Sequence, residues 1–217
     1  MISSKTMQRI FILLSIIYLN CILFNSAILV FYLKPLLILP LIIAVLISTN
    51  FANKFILLVA LIFSWLGDIL LLFVFKDAIY FILGLVAFLT AHIFYIVLFT
   101  KEIKKVNGKI QFKNGLVAIV VYLGTMLLAL IPHLGSLVIP VVVYAVVIST
   151  MLYMAYLLSF YWAKPASIYL LTGSFSFILS DSILAFNKFY HPIPMSDLLI
   201  MATYLYAQWA LVKSCIK

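Results

Sequence analysis

The sequence predicts an all-α polytopic membrane protein, a transmembrane helical bundle of eight helices with both termini cytoplasmic, and 1–217 is expected to form a single transmembrane domain. Three observations predict it. Of the 217 residues, 68% are hydrophobic and 9% charged, with a mean hydropathy of +1.33; soluble domains carry about 25% charged residues. The apolar residues run continuously for about 20 positions at a time, the length a spanning helix needs, whereas barrel strands alternate over about ten. Basic residues gather at alternate connections. A soluble enzyme on a membrane anchor is excluded, because no stretch has ordinary polarity. Dedicated nucleic-acid binding is not expected either, since the net charge of +9 reflects scarce acids (5 Asp+Glu) more than abundant bases (14 Lys+Arg).

Taken in order, the expected spans are Ile10 to Val30, Pro35 to Thr49, Phe55 to Phe75, Ile79 to Thr100, Gly115 to Ile131, Leu137 to Tyr161, Ser167 to Phe186 and Leu198 to Val212. The break between the first two is placed at Tyr32, Lys34 and Pro35, on one charge and one proline. The later spans are separated by polar punctuation, such as Asn50 to Lys54, Lys101 to Asn114 and Asn187 to Asp197. Lys5 and Arg9 before the first run resemble a secretory signal, but the run exceeds the 7–15 residues of a signal core, so it reads as an uncleaved span. Cys21 and Cys215 suggest neither a disulfide nor a CxxC site.

Charge orients these spans. Eight of them put both termini on the side that holds Lys5, Arg9, Lys54, Lys101, Lys104, Lys105, Lys109, Lys113, Lys164, Lys213 and Lys217, leaving only Lys34, Lys76 and Lys188 opposite. By the positive-inside rule the first group is cytoplasmic. The Lys101 to Lys113 cluster reads as this orientation signal against anionic lipid. The membrane is expected to be a bacterial inner (cytoplasmic) membrane, and the bilayer is the expected partner.

The acids locate the chemistry. Asp77, Glu102 and Asp197 fall in connections, but Asp68 and Asp181 lie inside spans, where an ionised carboxylate costs about 2.5–3.5 kcal/mol even on a lenient scale. Each sits about 20 Å from the cytoplasmic end of its helix at 1.5 Å per residue. If these spans are neighbours, the two acids face one cavity. Ser174, Asp181 and Lys188 share a helical face, as do Ser64 and Asp68, while Gly84, Phe88, His92, Tyr95 and Phe99 form a stripe on the fourth span. Thr203, Tyr204 and Gln208 add polar groups on the eighth. Polar groups in hydrocarbon turn inward, so a polar cavity lined by spans two, three, four, seven and eight is the simplest arrangement.

Blander roles stand beside these. The two acids are also compatible with interhelical hydrogen bonding, His92, Tyr95, Thr203 and Gln208 with bonds to backbone carbonyls, and Lys34 and Lys188 with snorkelling. The remaining Tyr and Phe residues read as core and interfacial belt. There is no GxSxG, HExxH, Walker or GxGxxG motif, and three scattered histidines make no metal site. Acid–base work by two carboxylates remains, with no cofactor or metal expected. A proton-coupled transporter or a non-catalytic lipid-binding protein uses the same residues and stays open at this point.

One resemblance draws these positions together. Lys34-Pro35, Ser64-x-x-Gly67-Asp68, the stripe from Gly84 through Phe88 and His92 to Tyr95, Phe177-x-x-Ser180-Asp181-Ser182, Asn187-Lys188-Phe189 and Thr203-Tyr204-x-x-Ala207-Gln208 resemble, in order, the motifs of the YhhN-type lysoplasmalogenase family. The match runs from the second span to the eighth. The resemblance implies an integral membrane hydrolase that cleaves the sn-1 vinyl ether bond of lysoplasmalogens, lysophospholipids, to a fatty aldehyde and glycerophosphoethanolamine or glycerophosphocholine. It implies catalytic roles for Asp68 and Asp181. It also implies substrate binding by Lys34, Ser64, His92, Tyr95, Ser180, Asn187, Lys188, Tyr204 and Gln208, with the lysines on the phosphate.

Overall fold

The structure, a computed structural model, describes residues 3–106 and 115–216. The basic positions Lys109, Lys113 and Lys217 lie outside the described residues. Among the described residues every regular element is helical. Seven helical segments among the described residues are long and apolar enough to cross a membrane: Ser4–Leu23, Ala27–Leu46, Lys54–Leu71, Ile79–Lys104, Gly115–His133, Gly135–Ser159 and Ala166–Tyr190. An eighth long helix, Ser196–Cys215, has 20 residues but carries Asp197, Gln208 and Lys213. Large apolar side chains such as Phe24, Phe55, Leu128 and Ile139 are exposed along these helices. Exposed apolar surface on this scale marks a lipid-facing protein, and the chain is a multi-pass integral membrane protein.

The chain divides into two compact units, one running to Leu98 and taking up Cys215, the other running from Phe99 to Ser214. The first contains α1 (Ser4–Leu23), α2 (Ala27–Leu33), a 3-10 turn (Lys34–Leu36), α3 (Leu39–Leu46), α4 (Lys54–Leu71) and most of α5 (Ile79–Lys104). Ser3 caps α1, its hydroxyl accepting from the Thr6 amide at 3.1 Å. Helix α3 packs on α1 and α4, burying Phe11, Tyr18, Leu41, Val45, Leu57 and Leu61. The Lys54 ammonium donates to the carbonyls of Leu46 (2.8 Å) and Ser48 (2.9 Å), satisfying acceptors that the end of α3 leaves unpaired.

The first interhelical break corrects the sequence reading. It falls at Phe24 to Ser26, where Asn25 takes φ 52°, rather than at Tyr32 to Pro35. Asparagine tolerates this left-handed conformation better than most residues. Pro35 does not break the helix because it stands in the first turn of the 3-10 segment, where its missing N–H is no loss. Lys34 is therefore not in a connection; it lies seven residues into the second span, about 10 Å along it. The third span also ends earlier than expected, at Leu71 instead of Phe75, because turn bonds such as Phe73 N–H to the Leu70 carbonyl (3.0 Å) replace the helical ladder.

The second unit contains α6 (Gly115–Leu130), α7 (Val138–Ser159), α8 (Ala166–Ala185) and α9 (Ser196–Cys215), the last through Ser214. Helix α7 packs on α6 and α8. Leu130, Leu134 and Val141 form a core cluster with Phe186 and Phe189 against it. Helices α8 and α9 meet closely at Gly173, where a Cβ would stand 3.0 Å from that of Ala210. Three hydrogen bonds run along the same seam: Thr172 with Tyr206 (2.9 Å), Ser176 to the Thr203 carbonyl (3.0 Å) and Ser180 to the Ile200 carbonyl (3.0 Å).

Candidate functional site

In the first unit, Asp68 lies in the last turn of α4, 2% exposed. Its helix is otherwise mostly apolar, so the carboxyl is held inside a segment that hydropathy alone would place in hydrocarbon. Ser64 stands one turn before it, fully buried, and its hydroxyl has no hydrogen-bond partner among the described residues. Serines inside helices can bond back to the carbonyl four residues earlier; Ser64 makes no such bond. Gly67, between them, has a positional reason. A Cβ there would stand 2.6 Å from the Phe88 ring, so the bare backbone lets α5 approach α4 beside the acid. Leu71 fits against Gly84 in the same way, at 2.8 Å. His92 and Tyr95, one and two turns beyond Phe88, are buried. The Trp65 indole N–H donates to the Pro35 carbonyl at 2.7 Å, tying the Lys34-Pro35 turn to α4. Lys34 itself is half-buried.

In the second unit, Asp181 sits one turn from the end of α8. The Tyr144 hydroxyl, buried on α7, donates to its Oδ2 at 2.5 Å. Beside it, Tyr122 of α6 hydrogen-bonds Ser182, whose hydroxyl in turn reaches the Ile178 carbonyl at 2.5 Å. Asp181, Tyr144, Ser182 and Ser149 border a small cavity of about 40 Å³. The Ser149 hydroxyl is buried and without a hydrogen-bond partner among the described residues. A water fits where a cavity exceeds about 10–15 Å³, and this one is large enough.

Beyond Asp181 the helix loosens into a π turn, Phe186–Tyr190, a local geometry that recurs at functional sites. Lys188 is exposed there. Tyr204 and Gln208 are buried on α9, and the Tyr204 ring packs edge-on against Phe177 at 5.5 Å.

Two of the expected substrate contacts carry structural bonds. Ser180 ties α8 to α9 as described above, and the Asn187 side chain accepts from the Ile193 amide at 2.8 Å, organising the turn before α9. Conversely, Tyr144, Tyr122 and Ser149 were not singled out in the sequence. Tyr144 is one of several tyrosines on an apolar span, and nothing in its neighbourhood distinguishes the one that meets Asp181. Among the described residues no group of three or more His, Cys, Asp or Glu side chains is placed to hold a metal ion.

A polytopic helical membrane protein with a carboxyl group on each of two apolar spans, Asp68 buried and Asp181 half-buried, is the class these features define. The YhhN family model matches residues 29–215, and the chain belongs to the YhhN family. It is similar to Lysoplasmalogenase TMEM86A of Homo sapiens, 32% identical over 166 residues that make up 73% of this chain and 64% of that protein. It is also similar to Lysoplasmalogenase TMEM86B of Mus musculus, 30% identical over 164 residues, 73% of this chain and 62% of that protein. The chain thus spans less than two thirds of the length of these curated relatives. No solved structure matches it.

Proposed function

We propose that this protein is a lysoplasmalogenase: it hydrolyses the sn-1 vinyl ether of a lysoplasmalogen to a fatty aldehyde and glycerophosphoethanolamine or glycerophosphocholine. The observation that carries the reading is Asp181, an intramembrane carboxyl held by Tyr144 at the edge of a water-sized cavity. The similarity to relatives named lysoplasmalogenase supports it. In our reading the enzyme sits in a bacterial inner membrane with both termini cytoplasmic, the orientation favoured by the basic residues.

The chemistry asks for two carboxyl groups. One, protonated, gives its proton to the vinyl carbon beta to the ether oxygen, and the electron pair of the double bond forms the new C–H bond. The ether oxygen then shares the positive charge as an oxocarbenium ion. The other, ionised, stabilises that cation and takes a proton from water as the water oxygen bonds to the carbon beside the ether oxygen. The hemiacetal hydroxyl then returns its proton to the first carboxylate as the C–O bond to the glycerol breaks, the glycerol oxygen leaves with the proton held by the second, and the aldehyde remains. Glycosidases divide two carboxyl groups in the same way around a similar cation. Asp68 and Asp181 are the proposed pair, with Ser149 beside the water. Lys34 and Lys188 are proposed to hold the phosphate, and Ser64, His92, Tyr95, Tyr204 and Gln208 to orient the glycerol or the carboxyl groups.

The test is aldehyde release from lysoplasmalogen by purified protein in detergent. Wild type should turn over, while Asp68→Asn and Asp181→Asn, correctly folded, should not. Turnover near wild type in either variant overturns the pair. Detergent removes the sealed compartment that a transporter needs, and a lipid-binding scaffold gives no turnover.

A further inference from the structure

The second unit holds a groove far larger than the cavity at Asp181, and nothing described so far uses it. Its volume is about 760 Å³, within the roughly 300–1,000 Å³ of small-molecule sites. Ala118 and Tyr122 of α6 form one wall, Leu171, Phe175 and Ile178 of α8 the other, with Leu152 of α7 between them. Helices α6 and α8 each pack on α7, so the groove is the space they leave open above it.

Three observations say what fits there. First, the groove adjoins the acid's cavity: Tyr122 and Ile178 line both it and the cavity that Asp181 borders. Second, all but one of its polar side chains, Tyr156 being the exception, are engaged by the protein. Thr172 bonds Tyr206, Ser176 bonds the Thr203 carbonyl, and Tyr122 bonds Ser182. Apart from the Tyr156 hydroxyl, the surface left to a ligand is hydrocarbon, unsuited to a phosphate or glycerol head. Third, along α8 the groove lies on the opposite side of Asp181 from Lys188. From Asp181 back to Leu171 is ten residues, about 15 Å of helix, and from Asp181 forward to Lys188 is about 10 Å.

We propose that this groove binds the single long hydrocarbon chain of a lysophospholipid. It would run from Asp181 toward Leu171, so that the bond joining chain to glycerol rests at the carboxyl and the head group lies toward Lys188. The inference rests on the reading of the protein as a lysophospholipid hydrolase, and it names which surface measures the chain. A single-chain lipid is the occupant because one groove serves one acid.

The experiment uses the full chain in nanodiscs and a non-hydrolysable probe, hexadecyl-ether lysophosphatidylethanolamine with a diazirine near the chain end. Irradiation and peptide mass spectrometry should place adducts on α6 and α8 around Ala118 and Leu171. Excess unlabelled lysophosphatidylethanolamine should remove them and diacyl phosphatidylethanolamine should not. Ala118→Trp, a substitution at a lipid-exposed position, should reduce labelling about tenfold, within the range expected for overpacking a filled apolar site. Leu171→Trp, which narrows the groove from the other wall, should do the same. In both variants KM should rise for long-chain lysoplasmalogen while a short-chain one is turned over normally.

Adducts spread over lipid-facing residues such as Leu128 and Ile139, equal competition by the diacyl lipid, or equal loss for long and short chains overturns the groove. The two readings fail separately. Aldehyde release with adducts elsewhere refutes the groove alone, and adducts in the groove without aldehyde release refute the hydrolase while the chain site stands.

Discussion

Replacing Tyr144 by Phe removes one oxygen and nothing else from the neighbourhood of Asp181. That oxygen donates to Asp181 Oδ2 over 2.5 Å, and the Tyr144 side chain is buried. Losing one partner of a buried hydrogen bond costs about 1–3 kcal/mol. If Tyr144 holds the carboxyl for the charge that develops in the transition state, this cost falls on kcat, a reduction of about 5- to 150-fold with KM changed less than about twofold. Tyr122→Phe is the internal comparison. It frees Ser182, which keeps its bond to the Ile178 carbonyl, so its effect should stay near the 0.5–1.5 kcal/mol of an ordinary hydrogen bond. The assay is initial-rate aldehyde release by detergent-purified protein, with thermal unfolding to confirm that both variants are folded. A folded Tyr144→Phe protein with kcat within about twofold of wild type refutes the reasoning, as does a larger loss for Tyr122→Phe.

Other expectations follow from the same structure. Ser149→Ala removes a polar partner from the cavity beside Asp181, so kcat should fall by about tenfold, the scale of one lost hydrogen bond, with KM retained; steady-state kinetics checks the split. Lys188→Ala should raise KM for lysolipid more than it lowers kcat, and an unchanged KM removes Lys188 from phosphate binding. Gly67→Ala drives a methyl group to 2.6 Å from the Phe88 ring; overpacking of this kind costs about 1–3 kcal/mol and should lower the thermal unfolding midpoint of the detergent-solubilised protein. Ser180→Ala breaks one bond to α9, worth about 0.6 kcal/mol on average within a membrane, and should leave aldehyde release within about threefold of wild type.

The polar punctuation of the sequence places the later spans because each connection there carries several polar residues or a proline. The first break was misplaced for a physical reason. Asn25 turns the chain through a single left-handed residue, whereas Pro35, the stronger textual signal, sits in a first turn that tolerates it. Asp68 and Asp181 were legible because a carboxyl inside an apolar run is costly wherever the helix faces. Tyr144 and Ser149 were not. Helix α7 is apolar on every side, and such a helix gives no periodic indication of which face meets α8. For Ser180 and Asn187 the sequence does not show the bonds to the backbone of Ile200 and Ile193, because a hydroxyl or amide in a motif looks the same whatever it meets. Hydrogen-bond partners are a tertiary property, and only coordinates assign them.

The central claim is protonation of a vinyl ether by one intramembrane carboxyl with water addition aided by another. It is tested most directly by running purified protein on lysoplasmalogen in D₂O, trapping the aldehyde by rapid reduction, and reading its mass. The account predicts one deuterium on the carbon next to the former carbonyl in wild type, and no product from Asp68→Asn or Asp181→Asn. Aldehyde without that deuterium, no aldehyde from wild type, or undiminished product from a folded Asn variant would contradict it.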